Sequence, residues 1–69
     1  MLFPQPFILD NEICAVQLFG RKLFEPIPKR SLLIADRPSD QPRIIEVSWN
    51  GQRYLVFQRD LEEHAYPAS

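Results

Sequence analysis

Residues 43–58, RIIEVSWNGQRYLVFQ, decide the fold class of this chain. Apolar residues alternate with polar ones before Asn50-Gly51, and an apolar run, Tyr54–Phe57, follows two polar residues after it, which is the pattern of two paired strands. A two-residue hairpin loop of type I′ needs positive φ at both central positions, and Asn-Gly is the pair that supplies it most readily. A loop of that length sets the register, so Trp49 faces Gln52, Val47 faces Tyr54 and Ile45 faces Val56. On the other face Ser48 is set against Arg53, Glu46 against Leu55 and Ile44 against Phe57. Glu46 and Arg53 become diagonal neighbours of opposite charge. The face with Ile45, Val47, Trp49, Tyr54 and Val56 is the expected core face; its reverse is apolar at the open end and polar near the turn.

Working outward, seven prolines and two glycines cut the sequence into short pieces. No helix-length window keeps a 3.6-residue apolar period without a proline inside it, so strand-like runs dominate. Residues 1–6 read as an extended arm and Phe7–Leu9 as a short strand. Asp10-Asn11 is a turn signal. Glu12–Phe19 is an expected strand with Cys14, Val16 and Leu18 facing the core, Cys14 acting as a small hydrophobe. Residues 20–31 read as a polar loop stiffened by Pro26 and Pro28, Leu32–Asp36 as a strand, and Pro38–Pro42 as a loop. After the hairpin, residues 60–65 read as one helical turn, with Asp60 as its cap, Glu63 completing a box, and Tyr66-Pro67 as its end. The expected core is Cys14, Val16, Leu18, Leu33, Ile45, Val47, Tyr54 and Val56. The whole reads as one small mostly-β domain, a partly open β-barrel or half-barrel with a hairpin and a short C-terminal helical turn.

A 69-residue chain has room for one small core. Domains of this size bury roughly 60% of the surface that their unfolded chains expose. With one cysteine and one histidine, no intrachain disulfide or Cys/His zinc site can form. Stability must then come from elsewhere, and the expectation is a homodimer or a complex with a larger protein. The net charge of −1 gives no global attraction to nucleic acid or to anionic lipid. No run approaches the ~20 apolar residues of a membrane span. The opening MLFPQPFIL lacks the basic start of a secretory signal. A free thiol suits a reducing compartment, so the expected location is cytoplasmic. No cofactor site is expected, because Gly20 and Gly51 are isolated and no phosphate loop can be built on them.

Upstream of the hairpin, residues 20–37, GRKLFEPIPKRSLLIADR, resemble the active-site segment of the LexA/UmuD-like self-cleaving serine-lysine peptidases. In that family a strand runs into a G-D-S-M-x-P-T-I turn, and a strand of the L-V-I-V-D-R type follows. Here Gly20 matches the glycine, Ile27 and Pro28 the end of the turn, and residues 32–37 the strand. Cys14–Phe19 takes the place of the strand before the turn, and Arg43–Arg59 resembles the hairpin that comes after. The resemblance spans about residues 12 to 61. It implies a scaffold without the chemistry. The serine position is Lys22, and the lysine position falls on Val56 or Phe57, neither of which can accept a proton. Ser31 lies outside the nucleophile turn, and Arg59 is too basic to act as a general base. The family's later strands are absent, so the resemblance implies a truncated half-barrel with apolar surface and a strand edge left open.

Taken together, the expected function is a non-catalytic protein-binding or dimerisation module. The resemblance directs it toward a regulatory partner such as a repressor or stress-response factor of phage or plasmid type. Candidate partner-binding residues are Arg21, Lys22, Lys29 and Arg30, a basic group broken only by Glu25, together with Trp49, an aromatic beside the turn. No catalytic or metal-binding residue is expected: His64 beside Glu62 and Glu63 is not a rigid ligand set. The alternative is a small SH3-like barrel that binds nucleic acid or peptide, with Arg53, Tyr54, Phe57 and Arg59 as its nucleic-acid candidates.

Overall fold

The computed structural model describes residues 2–18 and 24–68. Asn50 and Gly51 adopt φ of 53° and 79°, the left-handed pair that a type I′ turn requires. A side chain at Gly51 would meet nothing within 4 Å, so glycine is used there for its backbone freedom rather than for space. The turn joins two strands, Ile44–Trp49 and Gln52–Phe57, in the register that the sequence predicts, from Ile44 opposite Phe57 to Trp49 opposite Gln52.

Around this hairpin five further strands assemble, making seven among the described residues: β1 (Gln5–Leu9), β2 (Ile13–Gln17), β3 (Phe24–Ile27), β4 (Leu32–Pro38), β5 (Ile44–Trp49), β6 (Gln52–Phe57) and β7 (Ala65–Pro67). They form one antiparallel sheet in the order β3-β2-β6-β5-β4-β1-β7, which curls into an open half-barrel. The one helix among the described residues, α1 (Gln58–His64), lies between β6 and β7 and packs against β1, β6 and β7. The expected mostly-β half-barrel is therefore what the chain forms.

Alternate residues of each strand point to the inside of the curl. Phe7 and Leu9 of β1, Ile13 and Ala15 of β2, Ile27 of β3 and Leu33 and Ala35 of β4 meet Ile45, Val47, Tyr54 and Val56 of the hairpin, and Leu61 of α1 plugs the group. Five of the eight expected core residues are in this cluster: Leu33, Ile45, Val47, Tyr54 and Val56.

The other three correct the reading of β2. Cys14 is exposed, and Val16 and Leu18 are only half-buried, because Ile13 and Ala15 take the inner positions. Both faces of this strand are apolar, so its own pattern does not choose between them. Pairing chooses: Val16 is set against outward Leu55, and Gln17 against inward Tyr54. Cys14 is thus an outer-face residue, not a core hydrophobe.

Further differences concern where strands begin and end. Residues 24–27, expected within a loop, form edge strand β3, which holds Pro26 opposite Cys14. An edge strand accepts proline because one of its sides has no ladder partner. The supposed arm is paired with β4 from Gln5 onward, and β7 joins the other side of β1 from Phe7. Pro38 closes β4 instead of opening the loop. The helix starts two residues earlier than expected, directly after β6, with Phe57 at its N-cap and no side-chain cap from Asp60. The backbone N–H of Gln58 donates instead to the carbonyl of Arg43 at 2.8 Å, tying the helix start to the hairpin. Past the helix, Ala65–Pro67 pairs with β1 as the second edge. Each edge of the sheet, β3 and β7, carries a proline, which blunts strand-to-strand pairing with another chain.

Candidate functional site

The outer face of the sheet follows from the same alternation. With Val47, Tyr54 and Val56 inside, Ile44, Glu46, Ser48, Arg53, Leu55 and Phe57 point out. Register then lines up Phe24, Val16, Leu55, Glu46 and Arg37 across five neighbouring strands. Phe24 is 71% exposed and Phe57 53% exposed. Large apolar side chains left in water on one face are the usual mark of a contact surface.

A polar stripe divides this face. Glu46 sits between Arg37 at 3.8 Å and Arg53 at 3.9 Å. Beside it the register slips between Ala35 and Arg37, and Ser48 Oγ donates to Asp36 Oδ2 at 2.5 Å. Solvated pairs of this kind each contribute about 0–1 kcal/mol, so the stripe serves solubility and orientation more than stability. Beyond it, Leu32 and Tyr66 flank Ile8 in register and form a second exposed apolar patch near the β7 edge.

At one end of the face lies an open groove of about 700 Å³. Ile44 and Phe57, partners in register, line it together with Arg43, Arg59, Asp60 and Glu62. Arg43 stands in the left-handed region at φ 66°, at the close of the loop that enters β5.

The opposite end of the hairpin holds a polar network. Trp49 and Tyr54 pack with ring centroids 5.8 Å apart, and Trp49 is partly buried against the core. Tyr54 Oη donates to Glu25 Oε2 at 2.5 Å and lies 3.2 Å from Gln52 Oε1, which accepts from Gln17 Nε2. The ring is buried while the hydroxyl reaches the rim beside exposed Glu25. The phenol is pushed up to about 12, first by the hydrogen bond to Glu25, then by burial and by the carboxylate's negative charge.

A phenol raised in the folded state holds its proton more firmly than in the unfolded chain. Its contribution is complete below pH 10 and is lost as pH rises from 10 toward 12. Thermal melts across that window should show a falling Tm. Tyr54→Phe should lower the Tm at neutral pH and flatten the alkaline fall. An unchanged alkaline slope in the variant would show that Tyr54 does not carry it.

The described candidate residues from the sequence, Lys29, Arg30 and Trp49, do not form one patch. Lys29 and Arg30 lie in the exposed turn that follows β3, next to the pairing of Ile27 with Ile13. Trp49 lies at the other end of β2, where Gln17 meets Tyr54 and Gln52. Arg21 and Lys22 lie outside the described residues. Phe57 and Arg59, two of the nucleic-acid candidates, line the groove; the sequence reading does not join Arg43, Ile44, Asp60 and Glu62 to them, although Ile44 faces Phe57 across the hairpin. Of the proposed nucleic-acid candidates, Tyr54 is a core residue.

Among the described residues no group of three His, Cys, Asp or Glu side chains is gathered as metal ligands would be. No helix among them is long and apolar enough to cross a membrane. Compared with protein-family models, with curated proteins and with solved structures, the chain shows no match in any of the three. Fold and surface chemistry therefore carry the functional reading.

Proposed function

We propose that this chain is a non-catalytic protein-binding module that makes its contacts through the outer face of the half-barrel. The observation that carries this reading is the exposure of Phe24 and Phe57 on that face, with Val16 and Leu55 in the row of Phe24 and Ile44 opposite Phe57. Burying apolar side chains of this size against a partner contributes roughly 1.5–3 kcal/mol each. The prolines at both edges support a face contact over strand addition. The resemblance to the LexA/UmuD-like domain adds the kind of partner, a regulatory protein such as a repressor or stress-response factor, and the free thiol of Cys14 supports a cytoplasmic setting. Lys22 in place of the serine and Val56 or Phe57 in place of the lysine underlie the non-catalytic part of the proposal.

Capture from an extract of the native host tests this reading. The wild-type chain should retain a defined protein, and Phe24→Ser, with circular dichroism unchanged, should lose it. Equal retention by both would remove the outer face from the binding. Nucleic-acid binding that falls steeply with salt would favour the SH3-like alternative. Incubation at alkaline pH should leave the chain intact; a defined fragment that disappears in Ser31→Ala would restore an enzyme.

A further inference from the structure

We infer that the Phe57 end of the outer face takes a second copy of this chain, paired about a two-fold axis. This rests on the binding-module reading and names one occupant of its surface. Phe57 is 53% exposed beside its cross-strand partner Ile44, and both line the groove of about 700 Å³. Two cations, Arg43 and Arg59, and two anions, Asp60 and Glu62, line the same groove. Among the described residues the ion pairs are the two on Glu46, so none of these four charges is paired with another described side chain. Gln58 Nε2 donates to Glu62 Oε2 at 3.1 Å, which leaves the carboxylate's charge uncompensated.

This charge pattern selects the occupant. Phosphate backbones require a surface of one positive sign, and here the signs cancel. A purely basic or purely acidic peptide would satisfy half of the charges and oppose the other half. A two-fold contact requires a surface complementary to itself. Turned through half a revolution, the arginines of one copy face the carboxylates of the other, and each Phe57 enters the partner's groove. A groove of this volume accommodates a phenyl ring. Strand-edge pairing, the other common route between copies of a β domain, is blunted by Pro26 and Pro67.

Sedimentation of the purified chain from micromolar to submillimolar concentration, with charge exchange, tests the assignment. Wild type should sediment as a dimer, and its Tm should rise with concentration. Arg43→Glu with Arg59→Glu makes every charge at the groove negative, and Asp60→Lys with Glu62→Lys makes every charge positive. Each double variant alone should self-associate at least about 30-fold more weakly. An equimolar mixture of the two should recover a dimer. Circular dichroism checks folding; should a double variant unfold, Arg59→Glu and Glu62→Lys serve for the same exchange. A monomeric wild type, or double variants that pair as well as wild type, would overturn the inference. A monomer that still captures a host protein removes the self-pairing and leaves the binding module. A dimer that captures nothing does the reverse.

Discussion

Val47→Asp is expected to abolish folding. Val47 is 0% exposed on β5, the strand between β4 and β6, with Ala35 and Tyr54 as its cross-strand partners. Neither neighbour can neutralise a carboxylate, and the Tyr54 hydroxyl is already committed to Glu25. An unpaired buried charge costs more than such a domain holds. In practice the group would take up a proton and still bury an unsatisfied acid. A core of this size supplies about 3–5 kcal/mol in all. Far-ultraviolet circular dichroism should lose its strand signal, and no cooperative melt should remain. A cooperative melt within a few degrees of wild type would contradict the placement of Val47.

Leu61→Ala is the second change with a large expected effect. Helix α1 has seven residues and no side-chain cap, too short to hold together by its own hydrogen bonds. It stays in place through Leu61, its one buried residue, which fills the inside of the curl at 0% exposure. Truncation to alanine removes that packing and leaves a cavity, at a cost of about 2–5 kcal/mol. For a domain of this size each kcal/mol shifts the Tm by roughly 4–8 °C. A fall of roughly 10 °C or more is therefore expected at fixed protein concentration, since pairing would itself raise the Tm. Leu61→Met should recover most of it, because the volume is nearly kept. The effect should extend beyond the helix. The His64 carbonyl accepts from the Asp10 N–H, and α1 delivers the chain into β7, so loosening the helix also loosens the pairing of β7 with β1. A small Tm change in Leu61→Ala would show that the sheet alone carries the stability.

The same chain separates what local rules decide from what they leave open. The β5–β6 hairpin is legible residue by residue because each of its determinants is local. A two-residue turn with positive φ admits one register, and a period of two then assigns both faces. From that register follow the inward Val47, Tyr54 and Val56, the outward Glu46 and Arg53, and the mostly-β class. The sequence also determines that no disulfide can close the domain, since Cys14 stands alone.

Tertiary structure decides the rest, and the reason is nonlocal pairing. The inner face of β2 cannot be read from ICAVQ, where both faces are apolar; it is settled by contact with β6, a strand more than thirty residues away in the chain. Phe24–Ile27 becomes a strand because β2 offers it an edge, and its proline is tolerated there for the same reason. Gln5 and Pro6 leave the supposed arm because β4 pairs with them. The candidate surface has the same origin. Phe24, Val16 and Leu55 become neighbours only when three strands align, and Tyr54 reaches Glu25 across 29 residues of sequence. Local chemistry thus specifies one hairpin and its faces. Which strands flank it, and which apolar residues the closed core leaves in water, depends on how the remaining hydrophobic surface can be buried once the sheet curls.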